Sequence, residues 1–212
     1  MTRQSSETIS YEQAEFMVLL SELVKIVAEV EGLDEVSVGI YARSAREAGH
    51  IKQGGRGRAA AKMDVRDAAN LLIAVNACTL AKDVAEAVPV YRSMQIEDET
   101  YTGKDRALLT KVGVFRSGAT FGTDLEQILS FCGDPERRKL LDEPGGVIVE
   151  FLRPRPKAQI ALLLRNDDGA AIDIRGFYWP VDRKSPARVG DRADHALISS
   201  RTLTAVAEAL QA

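Results

Sequence analysis

Residue types that do covalent or metal chemistry are sparse in this 212-residue chain, with histidine only at 50 and 195 and cysteine only at 78 and 132. That spacing supplies no C-x-x-C pair, no Cys/His zinc set and no material for a histidine-based triad. Cys78 and Cys132 sit in apolar stretches of helical character, where a buried, reduced thiol is the expected use. "GVFRSGAT", Gly113 to Thr120, has the G-x-x-x-x-G spacing of a phosphate-binding loop, but Ala119 stands where the lysine must be, so a strand end and loop leading into a helix is the better reading. Asp167 and Asp168 before Gly169 offer a carboxylate pair, yet Asp-Asp-Gly is also the expected chemistry of a tight turn. No catalytic residue, metal ligand or cofactor is therefore expected, and the chain reads as a non-enzyme; carboxylate chemistry of an unrecognised type is the enzymatic alternative.

The chemistry that does concentrate is positive charge. Residues 1–36 carry two basic side chains against eight acidic ones, whereas residues 37–66 carry seven basic ones against Glu47 and Asp64, so a net charge of -3 conceals a local excess of +5. The seven are Arg43, Arg46, Lys52, Arg56, Arg58, Lys62 and Arg66. Duplex DNA presents about one negative charge per 1.7 Å of axis, so a local cluster governs phosphate binding more than the global sum. Within the cluster, "GGRGR" at 54–58 places arginines among glycines. Arg56-Gly57-Arg58 is similar to the core of an AT-hook, whose glycine lets the backbone approach the floor of a narrow minor groove. The flanking prolines of that motif are absent, which favours a winged or flexible basic loop on phosphates. A solvated linker is the competing reading. "RPRPK" at 153–157 and "DRKSPAR" at 182–188 read as solvated turns, with phosphate contact second, and Phe177, Tyr178 and Trp179 as core or a subunit contact.

These side chains need helices to hold them. Ser10 with Gln13 makes a capping box, after which Phe16, Leu19, Leu20, Leu23, Val27 and Val30 recur at helical spacing until Gly32. A second helix is expected over Val36 to Ala48, with Val38, Tyr41, Ala45 and Ala48 inward, Arg43 and Arg46 outward, and Gly49 as its stop. Asp64 caps a third through Cys78, and Leu80 to Val88 forms a fourth that Pro89 breaks or kinks. Helix, helix, glycine turn, basic loop, helix suits a helix-turn-helix variant with one exposed helix in the major groove.

"YARSAREAGHIKQGGRGR" followed by "DAANLLIAV", within residues 36–78, resembles the helix-turn-helix module of uncharacterised bacterial and prophage-type DNA-binding proteins. The resemblance implies DNA binding and regulation; it carries nothing about the second half of the chain.

Beyond residue 95 the pattern is irregular, and "IEDETYTGKDR" reads as an exposed connection. Thr123 with Glu126 predicts a capped helix that Gly133 stops, and Asp134-Pro135 a short one ending near Leu141. The period then changes to that of strands at Gly146 to Arg153, Ala158 to Arg165 and Ala170 to Tyr178, with the middle one central because Ile160 to Leu164 is apolar on both faces. Ser200 caps a final helix carrying Leu203, Val206 and Leu210, expected to cover one face of the sheet.

The expected architecture is α+β: an N-terminal helical, helix-turn-helix-like DNA-binding domain (1–95), a helical connection (96–145), and a C-terminal three-stranded antiparallel meander with a terminal helix (146–212). No stretch approaches the roughly 18 apolar residues of a membrane helix or the pattern of a secretory leader, so a cytoplasmic protein is expected. The expected partner is double-stranded DNA, bound by a homodimer or higher homo-oligomer acting as a transcriptional regulator. The alternatives are a phage packaging protein of the small terminase subunit type, and a protein-interaction module or inhibitor of a host factor using the acidic first helix.

Overall fold

The computed structural model describes residues 18–55, 60–102, 107–141, 146–165, 169–181 and 193–212. The Ser10–Gln13 helix start, Arg56, Arg58, Asp167, Asp168 and the 182–188 segment lie outside the described residues.

α1 (Leu20–Glu31) ends at Gly32, whose φ of +68° is left-handed. Leu33 N–H donates to Ala28 O at 2.8 Å and Gly32 N–H to Glu29 O at 3.4 Å, the paired bonds of a Schellman motif. Three residues later α2 (Glu35–Glu47) begins, capped by Asp34, whose carboxylate accepts from Ser37 N–H at 2.8 Å. α2 ends in the same way at Gly49, φ +78°, with His50 N–H donating to Ala45 O at 2.8 Å. α3 (Val65–Ala77) starts from a reciprocal box between Asp64 and Asp67, and every side chain from Asp67 to Ala77 is buried, which makes it the central helix.

Pro89 does not end the fourth helix. A single 3-10 turn at Ala81–Asp83 leads into α4 (Val84–Ser93), which contains the proline. Proline has no N–H for the carbonyl four residues earlier. That carbonyl, Ala85 O, accepts instead from His50 Nε2 at 3.0 Å. An outside donor thus fills the gap and the helix continues.

Residues 96–102 of the expected exposed connection form a largely exposed strand, and 103–106 lie outside the described residues. β1 (Gln95–Thr102) is followed by α5 (Ala107–Val112), α6 (Phe121–Gly133) and α7 (Pro135–Arg138). α6 is capped by Thr120, three residues before the expected Thr123, which serves as the reciprocal member of the box. Asp134 caps α7 as expected, accepting from the N–H groups of Glu136 and Arg137.

Among the described residues the sheet has five antiparallel strands, correcting the expected three. β2 (Val147–Arg153), β3 (Lys157–Arg165) and β4 (Ala171–Trp179) form the meander, β5 (Asp194–Ser199) joins β2, and β1 joins β4, in the order β1-β4-β3-β2-β5. β1 escapes a sequence reading because a register shift between Ile96 and Asp98 breaks its alternation. β5 escapes because it is six residues long and its apolar pair, exposed Leu197 and buried Ile198, faces both ways.

α8 (Ser200–Ala209) packs on α6 and α1 as well as on β5. Ser199, not Ser200, holds its cap position; the Ser200 hydroxyl accepts from Val147 N–H at 2.8 Å and ties the helix to β2. On the helix side of the sheet Phe121 stacks edge-on against Phe151 and Tyr178 at 5.6 and 5.3 Å, and the Tyr91 hydroxyl donates to Leu152 O. Buried Asp124 accepts from the Tyr178 hydroxyl at 2.6 Å and from Phe115 N–H at 3.3 Å. Burial raises its carboxyl above the usual range, and those two bonds pull it partly back. Cys78 and Cys132 are buried, and neither is in a disulfide. No helix among the described residues is long and apolar enough to cross a membrane.

Candidate nucleic-acid interface

The loop between α2 and α3 is shaped by its own backbone. Leu19 and Lys62 form an antiparallel bridge, Met63 N–H donates to Val18 O at 2.9 Å, and a Cβ placed on Gly54 would lie 2.1 Å from Ala61 N. Residues 54 and 61 are therefore in backbone contact, an approach that only glycine permits. The base of the loop, at residues 54 and 61, is thus closed, while Arg56 and Arg58 lie outside the described residues.

Its root is clamped from below. Lys52 Nζ lies 2.6 Å from Asp64 Oδ2 and 3.6 Å from Asp67 Oδ2, while Lys52 N–H donates to Asp67 Oδ1 at 3.0 Å. Hydrogen bonding to Asp64 raises the Lys52 ammonium above its usual value. Burial works to raise Asp64, but Lys52 and the Asp67 N–H outweigh it and hold its carboxyl low. The Gln53 amide donates to Arg46 O at 3.0 Å, tying the hairpin back to α2.

The described cations of the cluster follow one path. Arg43 and Arg46 line a groove of about 530 Å³ between α1 and α2; Arg46 and Lys52 line the adjoining groove under the hairpin; Lys52 and Arg66 line a third cleft, also about 530 Å³, between the loop root, α3 and α4. Arg43, Arg46 and Arg66 are exposed, and their guanidinium groups form no ion pair with any described residue. Lys62 stands apart as half-buried, held by its bridge to Leu19. The N-terminal half of α2 has a different surface, with Asp34 and Glu35 beside Leu33, Val36 and Ile40, which are 44%, 70% and 49% exposed.

A polar relay forms the floor of the third cleft. Buried Asn70 donates to His50 O at 2.5 Å and accepts from Arg92 at 2.8 Å, and Arg92 reaches Glu126 at 2.5 Å. The sequence reading missed Asn70 and Arg92, and read Glu126 as a capping-box partner of Thr123 where it instead pairs with Arg92. Asn70 was the available signal, as a polar side chain within an otherwise apolar run from Ala68 to Val75; its partners lie 22 and 20 residues away, where no motif spacing points. Among the described residues no group of three or more His, Cys, Asp or Glu side chains is arranged to hold a metal ion.

Near the α1–α2 turn, Glu31 accepts from the Asn76 amide at 3.2 Å, and burial pushes its carboxyl up to about 7 despite that bond. No family model, no curated protein and no solved structure matches this chain.

Proposed function

We propose that the chain binds duplex DNA and acts as a transcriptional regulator, gripping the backbone with Arg43 and Arg46 of α2, Arg66 of α3 and the Gly-Arg hairpin between them. The observation that carries this reading is the path of exposed, unpaired guanidinium groups beside a hairpin clamped at its root. Unpaired cations retain their full attraction for phosphate, and each phosphate neutralised releases counterions. The three-residue turn joining α1 to α2 suits a helix-turn-helix arrangement. Asp34 and Glu35 at the start of α2 oppose phosphate there, so the reading assigns the cationic C-terminal half of α2 and the hairpin to the backbone, and leaves Val36 and Ile40 for apolar contact such as thymine methyl groups.

The test is fluorescence anisotropy with mixed-sequence and A/T-rich duplexes across a salt series, using the protein and its Arg56→Ala/Arg58→Ala variant. Steep salt dependence, weakened by the double change, supports the proposal; an A/T preference assigns the hairpin to the minor groove. No binding to either duplex at low salt overturns it.

The exposed Leu33, Val36 and Ile40 beside two carboxylates favour a second reading, a protein-interaction module docking through the start of α2. Salt-insensitive capture of a protein partner without DNA affinity distinguishes it.

A further inference from the structure

The two edges of the sheet are built differently. β1 carries Glu97, Asp98 and Glu99 and a register shift, features that discourage another strand from pairing there. β5 carries one carboxylate, Asp194 at its first position, and no register shift. Among the described residues it pairs with β2 alone, its register runs unbroken from Asp194 to Ser199, and its centre is Ala196-Leu197-Ile198. Leu197 is 57% exposed on the face away from the helices, with Glu150 opposite it on β2 and Ile148 and Leu152 diagonal to it.

We propose that β5 is the dimerisation edge of this protein, pairing antiparallel with β5 of a second copy to join two five-stranded sheets into one. The proposal is independent of DNA binding and supplies the symmetry that the regulator reading would use. Directly opposed residues in an antiparallel pair project to the same face, so a two-fold axis perpendicular to the sheet must pass through a residue position. Centred on Leu197, the pairing sets Leu197 against its own copy, His195 against Ser199 and Ala196 against Ile198. This register opposes no two like charges. The same operation centred on Asp98 or Glu99 of β1 would set a carboxylate against its own copy, at a destabilising spacing. The occupant is thus a second copy of this chain, chosen by the apolar, charge-compatible register of β5, whereas β1 carries three carboxylates and a register shift.

Light scattering during gel filtration across a concentration series, without DNA, tests this. The expected result is a mass rising to twice the 23.1 kDa of the chain, and a return to the single-chain mass in Leu197→Lys with unchanged circular dichroism. Leu197→Cys should cross-link under mild oxidation, because opposed residues place their Cα atoms about 4.5–5.5 Å apart, within disulfide range; Thr100→Cys on β1 should not. A protein that stays at the single-chain mass throughout, or a dimer untouched by Leu197→Lys and not cross-linked through Cys at 197, overturns the proposal. Either result leaves the DNA reading to its own salt series.

Discussion

The charged groups around Asp124 and Arg92 are closed, whereas those along α2 and the start of α3 are open. Asp124 is satisfied by Tyr178 and Phe115, and Arg92 by Asn70 and Glu126, so each polar atom that loses water there gains a protein partner. Arg43, Arg46 and Arg66 are exposed and have no such partner among the described residues. Buried polar groups must be paired because an orphan costs about 1–3 kcal/mol, while an exposed cation contributes little to stability either way. Closed clusters should therefore register in unfolding experiments, and open ones only in binding.

The largest expected effect is at Asp124. Asp124→Ala orphans the Tyr178 hydroxyl and Phe115 N–H and should lower the unfolding free energy by about 2–4 kcal/mol in urea titrations. Arg92→Ala leaves Glu126 and Asn70 half-satisfied in a partly buried site and should cost about 1–3 kcal/mol by the same measurement. A loss below about 0.5 kcal/mol for either would break the comparison on its closed side.

Glu31 sharpens it, being half-buried with a single amide partner. Its carboxyl titrates near 4.5 when unfolded and about 7 when folded, so the folded state holds its proton more tightly. The resulting stability is fully present below about pH 4.5 and is lost as pH rises to about 7. Glu31→Gln should flatten that slope and raise stability at pH 8 by on the order of 2 kcal/mol, read from denaturation midpoints across pH. A slope unchanged by the substitution refutes the assignment.

The smallest expected stability change is in the open cluster. Arg43→Ala/Arg46→Ala should shift the unfolding free energy by less than about 0.5 kcal/mol. Under the proposed function the same change reduces the slope of log affinity against log salt by about 2. A destabilisation well above that limit would show that these arginines brace the fold.

What was legible in the sequence follows the range of the forces involved. Gly32, Gly49, Asp64 and Asp134 act within one turn of their own helices, and all four mark helix boundaries in the structure. The helical character of the first half and the three meander strands were readable for the same reason. That Pro89 does not break α4 was not legible, because the donor that rescues Ala85 O belongs to His50, 35 residues earlier. β1 and β5 were hidden because an edge strand is defined by a neighbour that its own side chains do not announce. At the interface, Arg43, Arg46 and Arg66 were legible as charge on outward positions, but the clamp of Lys52 onto Asp64 and Asp67 and the Asn70–Arg92–Glu126 relay depend on tertiary contacts.

The carboxylates of β1 have a consequence for assembly size. A sheet extended through β5 has β1 at both of its outer ends, with the carboxylate-rich run Glu97-Asp98-Glu99 and a register shift. One sticky edge and one guarded edge give a closed pair, where two sticky edges would give a filament. The acidic segment that reads in the sequence as a mere connection is then the terminator of a polymer that never forms.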